Sequence, residues 1–185
     1  MTKSSVCYVQ SRKDKEKMIV VPKGELAAFY WYDTNRQLLD YEIKAMIRNF
    51  PQFELAEVGD GRIMWHGTLK SNRGVLWTLA AIYENNHPNN DDYGGSIKVY
   101  AIKPDLNQII AQYGTIPHTV RDSEGIYYLC TVDPKNFIAR RDNRGRVLEA
   151  STAVSALGWA SKWIFLFESW IHGDISEREF ASHDY

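Results

Sequence analysis

One stretch of this chain sets reactive residue types at a spacing that can do chemistry: Pro117-His118-Thr119-Val120-Arg121-Asp122-Ser123-Glu124-Gly125-Ile126-Tyr127-Tyr128-Leu129-Cys130. A polar bend bearing a histidine leads through an acidic-glycine turn into a short apolar strand, and the strand ends on a cysteine. A thiol in that place can carry an acyl group as a thioester, the thiolate being the nucleophilic form. His118 offers three kinds of help: an imidazolium that stabilises the thiolate, a donor to the oxyanion, or an orienter of the loop backbone. Thr119 or a backbone N–H can share the donor role, and the residues alone leave these alternatives open. The competing reading is inert packing, since a free cysteine is among the most buried residue types.

The elements that must position this stretch are legible on either side of it. Thr34-Asn35-Arg36-Gln37 reads as a capping box, with Gln37 reaching back to the helix start. Leu39, Ile43, Met46, Ile47 and Phe50 then follow helical spacing until Pro51 stops the helix. Four strands follow in a meander: a weakly alternating Phe53–Ala56, then Ile63, Trp65, Gly67 and Leu69 on one face, then Val75–Tyr83, then Ile97, Val99 and Ala101. Gly59-Asp60-Gly61 and Ser71-Asn72-Arg73-Gly74 supply turns, and Asn85–Gly95 is a polar loop. A short helix is expected over Leu106–Tyr113, and a charged insertion over Arg140–Arg146. Ser151-Thr152 caps a long helix running to about His172. Ala153, Leu157, Ala160, Ile164, Phe167 and Ile171 form its core stripe, and Trp159, Trp163, Phe165 and Trp170 are expected to widen the buried surface. Gly173 stands where a left-handed residue would close the helix.

Strands in a run followed by helices predict an α+β domain with helices over one face of an antiparallel sheet. The predicted organisation is an N-terminal extension over 1–33, packed on the body, with a short strand at Ile19–Pro22 and an aromatic patch at Ala27–Tyr32. The domain proper covers 34–175, and a polar tail lies on the surface over 176–185.

Bulk properties exclude several classes. With 185 residues, 44% of them hydrophobic and 24% charged, the chain has the balance of one globular domain. A net charge of -1 gives no general nucleic-acid or membrane surface. Cys7 and Cys130 stand far apart and form no disulfide framework. Together with an N-terminus lacking the apolar core of a signal peptide, that predicts a cytoplasmic location. Lys162 and Glu168 within Ala153–Ile171 argue for a buried helix over a membrane span. His66, His87, His118, His172 and His183 lack ligand-like pairing, so neither metal nor cofactor is expected. Gly59-Asp60-Gly61 is read as a hairpin turn, not a nucleotide motif.

Helix, meander, bend with cysteine, long helix: this order resembles the ubiquitin-conjugating-enzyme fold, a four-stranded antiparallel meander with an N-terminal helix and a long crossing C-terminal helix. Ile63-Met64-Trp65-His66-Gly67-Thr68-Leu69 resembles its second strand. Pro117-His118-Thr119 stands where the family has its His-Pro-Asn turn, and Ser123–Cys130 resembles its approach to the active cysteine. A bacterial branch is more similar still. Thr152 with Trp163-Ile164-Phe165-Leu166-Phe167-Glu168-Ser169-Trp170-Ile171-His172-Gly173 resembles the final helix of the proteins of cyclic-oligonucleotide anti-phage defence (CBASS). The family's asparagine is absent, and His118 and Thr119 occupy its neighbourhood.

The resemblance implies a catalytic Cys130 assisted by His118, acting on the C-terminal glycine of a cGAS-like nucleotidyltransferase. It also implies a separate activating enzyme, or a substrate that is already activated, since the chain carries no adenylation domain. Two other functions compete. One is a non-catalytic binding module of the same fold. The other is a cysteine hydrolase, which needs an orienting Asn or Asp and a cysteine that opens a helix.

Overall fold

The computed structural model describes residues 7–9, 17–19, 30–133, 140–144 and 147–182. Near the N-terminus β1 (Cys7–Val9) pairs antiparallel with β2 (Lys17–Ile19). The strand expected at Ile19–Pro22 therefore reaches only Ile19, and Val20–Pro22 lie outside the described residues. The aromatic patch is described from Tyr30 onward. Trp31, at the start of the single-turn helix α1 (Trp31–Thr34), is buried with its ring centroid 5.0 Å from that of Tyr83 and 4.5 Å from that of His87.

Helix α2 (Arg36–Asn49) forms where the apolar spacing puts it, but its cap differs from the expected box. Because α1 takes up residues 31–34, Thr34 is already in a helical turn, and its Oγ1 donates to the Trp31 carbonyl at 3.0 Å. The N-cap passes to Asn35, whose Oδ1 accepts the Leu38 N–H at 3.1 Å.

The four predicted strands are present as β3 (Phe53–Glu57), β4 (Ile63–Lys70), β5 (Leu76–Tyr83) and β6 (Ile97–Lys103). The sheet is larger than the four-stranded meander. After α3 (Leu106–Tyr113), β7 (Thr119–Arg121) and β8 (Tyr127–Leu129) join it, giving six antiparallel strands in the order β3-β4-β5-β6-β8-β7. The strand that ends on the cysteine is thus inserted between β6 and β7, with Leu129 opposite both Val99 and Thr119. Arg140–Arg146, read as a charged insertion, contributes a two-residue strand β9 (Arg140–Arg141), which pairs with β10 (Val147–Glu149).

One face of the sheet carries Trp65, Trp77, Leu79, Ala81, Val99 and Leu129 into the main core, against α2 and α4 (Ala153–Ile171). The other face holds a smaller cluster around Met64, Ala80, Ile82, Tyr100 and Tyr128. Trp163 and Phe167 stack at 5.1 Å and both meet Trp77 edge-on, at 6.0 and 5.9 Å. Glu168, buried beside them, accepts the Trp77 Nε1–H at 2.9 Å, which answers the desolvation of its carboxyl.

Trp159 and Phe165 do not widen this surface: they are 50% and 52% exposed. At about 100° of rotation per residue, both lie about 120° from the centre of the core stripe, on opposite sides of it.

Helix α4 starts at a capping box of Thr152 and Ser155, with Ser155 N–H on Thr152 Oγ1 at 3.2 Å and Thr152 N–H on Ser155 Oγ at 2.8 Å. Thr152→Ala should lower unfolding free energy by about 1 kcal/mol, measured by urea denaturation. The helix closes as expected, with His172 Nδ1 2.7 Å from the Glu168 carbonyl and Gly173 at φ +79°. The tail beyond it is not purely surface. It forms α5 (Glu177–Ala181), whose Phe180 is fully buried in the main core.

Candidate functional site

Cys130 is the first residue after β8. Its backbone N–H donates to the His118 carbonyl at 2.8 Å, extending the β7–β8 ladder by one bond. Strand pairing therefore joins the two residues that the sequence singled out. The bend that holds His118 is clamped twice. Thr119 Oγ1 donates to the Ile116 carbonyl at 2.8 Å, and Trp163 Nε1 of α4 donates to the Pro117 carbonyl at 3.0 Å. Thr119 thus spends its hydroxyl proton inside the bend. His118 sits at φ +56°, the only non-glycine residue in the left-handed region among those described. A residue with a Cβ is held there only where its surroundings over-determine the backbone.

The chain leaving Cys130 is tied to the polar loop before β6. Gly94 N–H donates to the Val132 carbonyl at 2.8 Å, Thr131 Oγ1 to the Gly94 carbonyl at 3.4 Å, and Tyr128 OH to the Tyr93 carbonyl at 3.1 Å. Gly94 has φ +85°, and a Cβ there would stand 2.7 Å from Tyr128 Cε2. Only glycine allows the loop to come this close to the end of β8.

The thiol is half-buried and opens into a cavity of about 370 Å³ shared with His118, Asp133, Trp159, Lys162 and Trp163. Its Sγ lies 3.7 Å from the Val132 carbonyl oxygen. Burial raises the Cys130 pKa above its ordinary value; backbone hydrogen bonding at Gly94 opposes this, the Asp133 carboxylate adds to it, and backbone hydrogen bonding at Val132 opposes it again. At neutral pH the resting sulfur is a thiol. Asp133→Asn removes a like charge, so the pKa falls and the thiolate fraction at pH 8 rises. The rate of iodoacetamide alkylation at that pH should increase, and a rate equal to or below the native one would remove the Asp133 carboxylate from the causes of the raised pKa.

Of the residues that line the cavity, His118 and Cys130 alone are site residues in the sequence reading; Trp159, Lys162 and Ser182 are among those it missed. The Lys162 ammonium lies 4.6 Å from the Trp159 ring centroid, a cation–π contact in the cavity lining. A signal for them existed. Trp159, Lys162, Trp163 and Leu166 fall at i, i+3, i+4 and i+7, a second stripe on α4 beside the core stripe. No comparable spacing points to Ser182. Of the other histidines, His66 and His87 lie on β4 and in the loop before β6, and His172 caps α4; none of the three lines the cavity. His183 lies outside the described residues.

Sheet, covering helices and a thiol opening into a groove define an α+β domain. The chain belongs to the family of type II CBASS E2 proteins, whose family model matches residues 42–175. Membership gives it an E2-like role in the CBASS system of anti-phage defence. No curated protein and no solved structure matches the chain. None of its helices is long and apolar enough to cross a membrane, among the described residues.

Proposed function

We propose that Cys130 is the acyl-carrying nucleophile of a conjugating enzyme, acting in the cytoplasm on the C-terminal glycine of a cGAS-like nucleotidyltransferase. The supporting observation is the half-buried thiol at the end of β8, opening into the cavity that His118 also lines, in a chain of E2-like family. The glycyl carbonyl arrives activated, as a thioester on a separate activating enzyme. Cys130 gives up its thiol proton and the thiolate attacks the carbonyl; the new C–S bond forms, the old one breaks, and the activating enzyme's sulfur departs as thiolate and takes up a proton. In the second step a lysine amine of the acceptor attacks, a C–N bond forms, the C–S bond breaks, and Cys130 leaves as thiolate and takes up a proton.

The raised pKa of Cys130 suits the interval between the two steps. A thiol of higher pKa is a poorer leaving group, so the thioester persists until an amine is presented. His118 acts chiefly as a positioning residue. Its carbonyl receives the Cys130 N–H, and its left-handed backbone sets the bend.

The second reading is a binding module of the same fold with a silent thiol, and it draws support from that same raised pKa. Intact-mass spectrometry of the protein mixed with activating enzyme, ATP and nucleotidyltransferase separates the two. A covalent adduct released by excess thiol is expected for the carrier, and its absence would leave the binding module.

A further inference from the structure

When a thiolate adds to a thioester, the carbonyl oxygen takes up the electron pair and becomes an oxyanion. A site that favours this step needs a donor or a positive charge aimed at that oxygen. Several donors around the thiol are committed elsewhere. Thr119 Oγ1 donates to the Ile116 carbonyl at 2.8 Å, and Trp163 Nε1 to the Pro117 carbonyl at 3.0 Å. Thr131 is buried, with its Oγ1 3.4 Å from the Gly94 carbonyl oxygen. The cavity also carries a charge of the wrong sign. The Asp133 carboxylate lines it and already disfavours the Cys130 thiolate, so it disfavours an oxyanion formed on that sulfur's acyl group as well.

Lys162 brings the opposite charge into the same cavity. Its place is set by α4: the next residue, Trp163, ties this turn of the helix to the bend that holds His118. At rest the ammonium stands 4.6 Å from the Trp159 ring centroid, where the ring face attracts the charge. An ammonium carries three N–H donors, and a ring face is a weaker partner than an oxyanion. Burial first, then backbone hydrogen bonding at Gly94, the Asp133 carboxylate and backbone hydrogen bonding at Val132 set the Cys130 pKa; Lys162 is not one of these causes. The lysine therefore does not serve to make the thiolate. We infer that Lys162 is the oxyanion donor of the Cys130 site. Its N–H donates to the carbonyl oxygen as the Cys130 sulfur adds, keeps its proton throughout, and releases the oxygen when the tetrahedral carbon collapses and the leaving thiolate departs. Beside the tryptophan walls of the cavity such a charge acts more strongly than in open water. The inference deepens the carrier reading of Cys130 and rests on it.

The test sets two reactions of the same thiol against each other in the full chain, at one pH, with rates read by intact mass. Iodoacetamide alkylates sulfur by displacement and forms no oxyanion, whereas S-phenyl thioacetate acylates it through one. Lys162→Met keeps an unbranched side chain beside Trp159 and removes the charge. It should slow acylation about a hundredfold, the size of a lost oxyanion donor, and leave alkylation within about twofold. Lys162→Arg restores the cation and should recover acylation to within about tenfold of the native rate. Equal slowing of both reagents in Lys162→Met would overturn the inference, because the lysine would then act on the thiolate or on access to it. Acylation unmoved in Lys162→Met would overturn it too, as would Lys162→Arg acylating no faster than Lys162→Met. Lysine-dependent acylation by the small thioester without any nucleotidyltransferase adduct would sink the carrier reading and keep the oxyanion donor.

Discussion

Replacing Cys130 by serine should convert the adduct with the nucleotidyltransferase from one that excess thiol dissolves into one that resists it, and alanine should abolish it. An oxygen in place of Sγ gives an oxyester, which thiols do not exchange readily, whereas a thioester is cleaved by direct exchange. Loss of adduct should be complete within detection, because among the described residues that line the cavity Cys130 carries the thiol. His118 variants then separate chemistry from architecture. Glycine takes up φ +56° without penalty, while alanine pays for the left-handed backbone with about 1 kcal/mol. His118→Gly should therefore load the acyl group within about threefold of the native rate and be more stable than His118→Ala. A loss of about a hundredfold on His118→Gly is the size expected for a missing oxyanion donor, and would assign the imidazole a chemical part. Single-turnover loading followed by mass spectrometry reads all four variants. A native-like thiol-sensitive adduct on Cys130→Ala would remove this cysteine from the mechanism altogether.

Glu42→Ala should cost about 3 kcal/mol of unfolding free energy in urea denaturation, the largest effect expected from any single polar residue of α2. Glu42 is 1% exposed, and its Oε2 accepts the Tyr83 OH at 2.8 Å and the Ala153 N–H, at the start of α4, at 3.1 Å. Its Oε1 faces His87 Nε2 at 3.5 Å. Truncation leaves two donors buried without an acceptor, each worth about 1–3 kcal/mol.

The effect should also reach the cysteine. His87 Nδ1 lies 2.9 Å from Ser96 Oγ, Ser96 N–H donates to Asn90 Oδ1 at 3.0 Å, and Asn90 Nδ2 donates to Ser151 Oγ at 2.8 Å. This buried network holds the loop that carries Gly94 against the residues after Cys130. Iodoacetamide should therefore reach Cys130 faster in Glu42→Ala at a denaturant concentration where the chain is still folded. Glu42→Gln keeps an acceptor for both donors and should recover most of the stability. If it were as unstable as the alanine variant, the carboxylate charge would matter more than the hydrogen bonds.

Much of this framework is written in local patterns. Helix α3 spans Leu106–Tyr113 as expected, because Asp105 accepts the Asn107 N–H at 2.8 Å and Gly114 closes the last turn, both of which are sequence-local devices. Four strands and the start of α4 at Thr152 were legible for the same reason: alternation and capping act over a few residues. The cap of α2 slipped by one residue, from Thr34 to Asn35, because a single helical turn at Trp31–Thr34 leaves no periodic trace. Strands β7 and β8, three residues each, are too short to show alternation. The β6–β8 contact rests on one register pair, Val99 with Leu129, which only the folded sheet brings together.

By itself, then, the sequence determined an α+β chain with a cysteine at a strand end, a histidine bend shortly before it, and a long capped helix behind. Those properties depend on neighbours in the chain. Which aromatic residues of α4 are buried, that Phe180 leaves a polar tail to sit beside His118, and that the Cys130 thiol is held protonated were decided by tertiary structure alone. Burial and desolvation are set by what other segments place around a residue. A stripe of apolar side chains looks the same in sequence whether it meets the sheet or lines a groove.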